Sequence, residues 1–77
     1  MDNNKFEIEE NNIGDLCRQV RRSSNKSQEV IALEIGVATS TIERIENGKV
    51  TPSIKSILRI LKALDYKVII KPKNTAL

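Results

Sequence analysis

The sequence predicts a mainly α-helical domain: four short helices in one compact unit, followed by a β-strand near the C-terminal end. Three observations predict it. Apolar residues recur at helical spacing in successive stretches between Ile13 and Leu64. The breaks between the stretches, at Ser24-Asn25-Lys26, Gly36, Asn47-Gly48 and Thr51-Pro52, carry the chemistry that stops and starts helices. The pattern then changes: Tyr66-Lys67-Val68-Ile69-Ile70-Lys71 is β-branched and aromatic, and Pro72 ends it.

Residues 1–10 are read as a flexible N-terminal segment, with a short strand over Phe6–Ile8 where Lys5 to Glu9 alternates. Residues 11–65 form the domain. Asn11 or Asn12 can cap a first helix that runs to about Ser23, with Asp15 near its positive end. Its apolar stripe is Ile13, Leu16, Cys17 and Val20. Ser27 caps a second helix, Gln28 to Ile35. A third begins near Ala38 or Thr39 and stops at Asn47-Gly48. Thr51 supplies a capping hydroxyl and Pro52 a first helical position for the fourth, which runs to about Leu64. Ile54, Ile57, Leu58, Ile60, Leu61 and Leu64 cover about 160° of that helix at about 100° per residue. So wide an arc implies burial against the core on one side and against something else on the other. The strand, residues 66–72, needs a partner for its backbone groups, either Phe6–Ile8 or the same segment of a second subunit. Residues 73–77 are a flexible tail.

The formal net charge of +3 hides a division along the 77 residues. Residues 1–12 set Lys5 against Asp2, Glu7, Glu9 and Glu10; residues 13–77 carry twelve basic against six acidic side chains. A basic domain fits a polyanion partner. With no histidine and one cysteine, Cys/His zinc sites and Ser-His or Cys-His nucleophile pairs have no footing. The three glycines are isolated, so there is no phosphate-cradling loop. No enzymatic activity, cofactor or metal is expected. The lone cysteine is read as a small core residue in a reduced, cytoplasmic setting. No apolar run of about eighteen residues exists, and no membrane partner is expected.

The stretch Gln28 to Asn47 is the most informative. A small residue at Ala32 lets the second and third helices cross closely. Gly36 ends the second helix where the chain turns through positive φ. Ile31, Ile35, Val37, Ile42 and Ile45 fill the angle between the two helices. What remains outward on the third is short and polar: Thr39, Ser40, Thr41, Glu43 and Arg44, a surface suited to a DNA major groove.

These residues resemble the Xre/Cro-repressor helix-turn-helix family, whose domain is lambda-repressor-like. The match runs over roughly residues 13–65. The family's run appears as Gln28, Ile31, Ala32, Gly36, Val37, Thr41, Ile42, Ile45, Glu46, Asn47, Gly48, Lys49, Pro52 and Ser53. The strands predicted on either side of the helices resemble the HipB type of antitoxin-repressor, whose C-terminal strands pair across a homodimer. The resemblance implies a repressor that binds a palindromic double-stranded operator as a homodimer, represses its own operon and has a toxin protein as a further partner. A protein-interaction module that neutralises a HipA-type kinase, or a phage or restriction-modification controller, are the other circuits it implies.

By the same resemblance Thr39, Ser40 and Thr41 face the groove, and Arg44 can reach guanine or a phosphate. Ser27, Gln28, Asn47, Lys49 and Thr51 are assigned to phosphates, with Arg22, Lys26 and Lys55 as weaker candidates. Arg21 matches a family arginine that pairs with the glutamate matching Glu46. The family's capping Ser or Thr is replaced by Ala38, so Thr39 is expected to take over the cap. Ile60, Tyr66, Val68, Ile69 and Ile70 are assigned to the dimer contact. Val30 and Leu33 share a face at sites usually polar in the family, and are assigned to the other subunit, the N-terminal strand or a toxin.

Overall fold

The computed structural model describes residues 5–73. Helices α1 (Ile13–Ser23), α2 (Gln28–Ile35), α3 (Thr39–Glu46) and α4 (Ile54–Ala63) follow one another through short connections. Each start has a local cause. At α2 the Ser27 hydroxyl accepts the Val30 N–H at 3.1 Å, satisfying one of the unpaired donors of the first turn. At α4 the cap is Ser53, whose Oγ accepts the Ser56 N–H at 3.1 Å. Thr51 therefore does not cap α4, and Pro52 lies ahead of the cap rather than inside the helix. Its ring steers the chain into the helix without needing a backbone donor.

The end of α2 is closed at Gly36, with φ +76°, where the Val37 N–H reaches back to the Ala32 carbonyl at 2.9 Å. Arg59 of α4 donates to the Ile35 carbonyl and satisfies a second orphan acceptor there. Helix α4 ends through Asp65, at φ +66°, and the turn folds Tyr66 back towards α4, its N–H on the Leu61 carbonyl at 2.8 Å.

The core lies where the helices cross. Val20 of α1, Ile31 of α2, Ile42 of α3 and Ile57, Ile60 and Leu61 of α4 are buried, joined by Leu16, Cys17, Ala32, Ile35, Ile45 and Leu64. Val37 and Ile13 pack against its edge. Cys17 is in this core; burial first, and then the negative charge of Glu46, push its thiol up to about 11, so it stays protonated at neutral pH. Among the described residues no helix is long and apolar enough to cross a membrane.

Two expectations are corrected at the ends. The described residues contain no strand: neither Phe6–Ile8 nor residues 66–71 form a ladder. The two segments meet instead through rings, Phe6 and Tyr66 packing edge to face at 5.9 Å between centroids. An extended segment becomes a strand only when another backbone takes its N–H and C=O groups, and near Phe6–Ile8 two such groups go to a side chain instead. Glu9 N–H goes to Asn12 Oδ1 at 2.7 Å, and the Glu7 carbonyl takes Asn12 Nδ2 at 3.1 Å. Asn12 thus holds the cap position of α1 while its side chain organises the turn before it. Of the stretches expected to be flexible, 1–10 and 73–77, residues 1–4 and 74–77 lie outside the described residues.

The second correction is Ile60. Assigned to a dimer contact, it faces the core at 3% exposure. The apolar residues that α4 leaves outward are Ile54 and Leu58. The wide arc is therefore real, but its outward edge, at Ile54 and Leu58, lies about 120–160° around the helix from Ile60.

Candidate nucleic-acid interface

Helix α3 carries its apolar residues inward, Ile42 and Ile45, and leaves Ser40, Thr41, Glu43 and Arg44 exposed and Thr39 half-buried. Ala38 occupies the cap position with an extended backbone and no side-chain cap. Thr39 does not replace it; it is the first helical residue, and no capping bond occupies its hydroxyl. The missing cap leaves first-turn N–H groups of α3 open to an outside acceptor, at a stability cost of about 1 kcal/mol relative to a serine.

At the opposite end of α3 the chain builds a polar hub. Glu46 is buried, its side chain 2% exposed. Arg21 of α1 grips it with two bonds, Nε to Oε2 at 2.7 Å and Nη2 to Oε1 at 2.9 Å, and sends Nη1 to the Lys26 carbonyl at 2.9 Å. Gln28, at the start of α2, donates Nε2 to Glu46 Oε1 at 3.1 Å. Burial pushes the Glu46 carboxyl up, but hydrogen bonds from Arg21 and Gln28 and the charges of Arg21 and Arg18 outweigh it and hold the group below the usual range. The same pairing raises Arg21.

This hub brings together two residues assigned to phosphates. Gln28 stands on one side of Glu46 and Asn47 follows it in the chain. One Gln28 N–H is committed to Glu46; the amide nitrogen retains a second hydrogen. Ser27 accepts from Val30 and keeps its own O–H to donate. Lys49 and Thr51 are exposed in the loop after α3. Arg22 and Lys55 are exposed as well. Lys26 is drawn away: its ammonium donates to the Ala63 carbonyl at 3.0 Å, at the negative end of α4, and lies 3.7 Å from Glu34.

Arg18 escaped the sequence reading. Its Nη2 donates to the Glu46 carbonyl and to Asn47 Oδ1, both at 2.8 Å. The available signal was its position three residues before Arg21, hence on the same face of α1. Val30 and Leu33 of α2 are 44% and 83% exposed and take no part in the buried core.

Comparison with known proteins gives concordant matches. The helix-turn-helix family HTH_3 matches residues 18–69. An uncharacterized HTH-type transcriptional regulator of Sinorhizobium fredii (strain NBRC 101917 / NGR234), y4dL, is 30% identical over 57 residues, 74% of this chain. The chain spans 29% of that relative's length. Among solved structures, a HipB variant in complex with an O2 20mer superposes with a TM-score of 0.77 at 18% identity, over 94% of this chain and 100% of that one. A HipB-O1-O2 complex gives 0.73 at 19% identity, over 88% and 99%. A chain described as MDT Protein gives 0.76 at 18% identity, over 91% and 99%.

Proposed function

The chain belongs to the Xre-type helix-turn-helix family, and from that premise we propose that it is a sequence-specific DNA-binding transcriptional repressor. The observation that carries this reading is the outer face of α3. Thr39, Ser40, Thr41 and Arg44 form a short, polar, donor-rich surface, flanked at its far end by the Gln28 and Asn47 amides. Ser27, Gln28, Asn47, Lys49 and Thr51 contact phosphates, and the residues of α3 read base edges. Thr39 is free to take part because it is not spent on a cap. With no long amide on this face, DNA shape contributes alongside base contacts.

The test is binding of labelled duplex from immediately upstream of the protein's own gene, against a scrambled duplex, across a salt series. A preference of about a thousandfold is expected, lost in the Thr39→Ala/Arg44→Ala double variant. Equal, salt-sensitive binding to both duplexes would leave only electrostatic attraction and sink the sequence-specific reading.

The repressor acts as a homodimer, placing two copies of α3 in successive major grooves about 34 Å apart on a palindromic operator. Val68, Ile69 and Ile70 are 39%, 70% and 93% exposed on a segment whose backbone joins no ladder among the described residues. Beside them Leu58, Leu61, Lys62, Tyr66, Lys67 and Val68 line an open groove of about 320 Å³. Pairing of residues 66–71 with the same segment of a second copy would satisfy that backbone and cover the apolar side chains. Val68→Pro or Ile69→Pro removes a ladder donor and is expected to shift sedimentation from dimer to monomer. A variant that remains dimeric would place the interface elsewhere.

The repressor is the autoregulating antitoxin of a toxin-antitoxin operon. Two features support this: the likeness to HipB and the exposed Val30–Leu33 face of α2, which the helical domain does not use. That face favours a second activity, binding of a toxin protein, beside the DNA-binding one.

A further inference from the structure

Arg18 is 28% exposed and lies where α1 meets the carboxyl end of α3. Its Nη2 bridges the Glu46 carbonyl and Asn47 Oδ1, while Nε is 3.8 Å from Glu46 Oε1 and Nη1 is 3.9 Å from Asp15 Oδ1. A guanidinium has donors only, so the amide atom facing it is the Asn47 carbonyl oxygen. The amide is planar. Its nitrogen, with both hydrogens, therefore points away from Arg18, on an exposed side chain. No hydrogen bond among the described residues uses that nitrogen.

We propose that Arg18 is a positioning residue for DNA: it fixes the Asn47 amide with its donors outward, towards a backbone phosphate of duplex DNA lying along α3. The inference rests on the DNA-binding reading above. A free asparagine turns either end outward, and one of the two presents an oxygen to an anion. Arg18 removes that orientation before binding. Within the chain the guanidinium spends Nη2 on Glu46 and Asn47, and its Nη1 and Nε lie 3.9 Å and 3.8 Å from the Asp15 and Glu46 carboxylates. A side chain that touches no DNA thus tunes a contact that does.

The test is a double-mutant cycle. Arg18→Met keeps the aliphatic stem and removes the fork; Asn47→Ala removes the amide. Dissociation constants for a mixed-sequence 20-base-pair duplex are measured by anisotropy across a salt series, at a temperature where melting curves show each variant folded. Each single variant is expected to weaken binding about tenfold, and the double variant no more than the weaker single. The slope of log K against log salt is expected to stay unchanged in both, since a neutral amide displaces no counterion. Additive losses, or a slope reduced by about one in Arg18→Met, would mean that Arg18 meets phosphate itself and would overturn the assignment. Should Arg18→Met not fold, Arg18→Lys keeps the charge beside Asp15 and Glu46 but not the planar fork, and takes its place with a smaller, equally non-additive loss. Failure of the unaltered protein to bind any duplex would overturn the DNA reading, and this role with it.

Discussion

Arg21→Met is expected to lower the stability of the folded chain by about 3–5 kcal/mol, read from chemical denaturation. The reason is what it leaves behind. The Glu46 carboxylate is buried, and Arg21 supplies two of its three close donors. Without Arg21 the charge keeps one amide N–H from Gln28 and a guanidinium nitrogen 3.8 Å away. Arg21 also binds the Lys26 carbonyl, so its loss frees the connection between α1 and α2. In a domain of this size each kcal/mol moves the melting temperature by about 4–8 °C, so the effect is large on any scale. The double variant Arg21→Met/Glu46→Leu is expected to recover most of the loss, because a buried ion pair costs desolvation that apolar residues of similar volume do not. A single variant within about 1 kcal/mol of the unaltered protein would show that the pair is dispensable.

The same hub sets an acid limit. The Glu46 carboxyl titrates lower in the folded protein than in the unfolded chain. Between those two values the unfolded chain binds more protons, so stability rises with pH there. The contribution is complete above the unfolded carboxylate value of about 4.3 and is lost as pH falls through the lower, folded one. Glu46→Gln lacks this titration and is expected to show a flatter fall in stability below about pH 4.5.

What was legible in the sequence follows from how local each cause is. The helices were readable because their signals lie within a few residues: the Ser27 hydroxyl, Gly36 at positive φ, and the apolar spacing from Ile31 to Ile45. The shift of the α4 cap from Thr51 to Ser53 is a competition between two nearby hydroxyls, which spacing alone does not decide. Ile60 and Leu58 are both apolar on one helix, and only the direction from which α1 and α2 approach buries the first and exposes the second. The 66–71 segment has strand composition, but a strand is a property of two backbones. Arg21 and Glu46 were placed through resemblance, not through spacing, since 25 residues separate them. Lys26 was assigned to a phosphate and Arg18 to nothing, because each donates to a main-chain carbonyl, and a sequence does not mark those. Gly14 carries no mark in the sequence for the same reason: what constrains it is the Ile45 main chain of α3.

Gly14→Ala is the sharpest case, because local and tertiary physics predict opposite signs. Alanine is favoured over glycine in a helix by up to about 1 kcal/mol, so α1 alone would be stabilised. In the folded chain a Cβ at residue 14 would stand 2.1 Å from the Ile45 carbonyl oxygen and 3.2 Å from its carbon. Both are backbone atoms of α3, held by the buried Ile42 and Ile45 on one side and by Glu46 on the other. They cannot swing aside as a side-chain end would, so α1 must retreat from α3. Retreat lengthens the bonds from Arg18 and Arg21 to the end of α3 and loosens Leu16, Cys17 and Val20 in the core. Overpacking of this kind costs about 1–3 kcal/mol before the strained ion pair is counted, which exceeds the propensity gain. The expected result is a protein less stable by about 3 kcal/mol, with weaker duplex binding because the Gln28–Glu46–Asn47 edge is displaced. An alanine variant as stable as the unaltered chain would mean that α1 can shift without opening the core, and that the close helix approach at Gly14 has no part in holding α3.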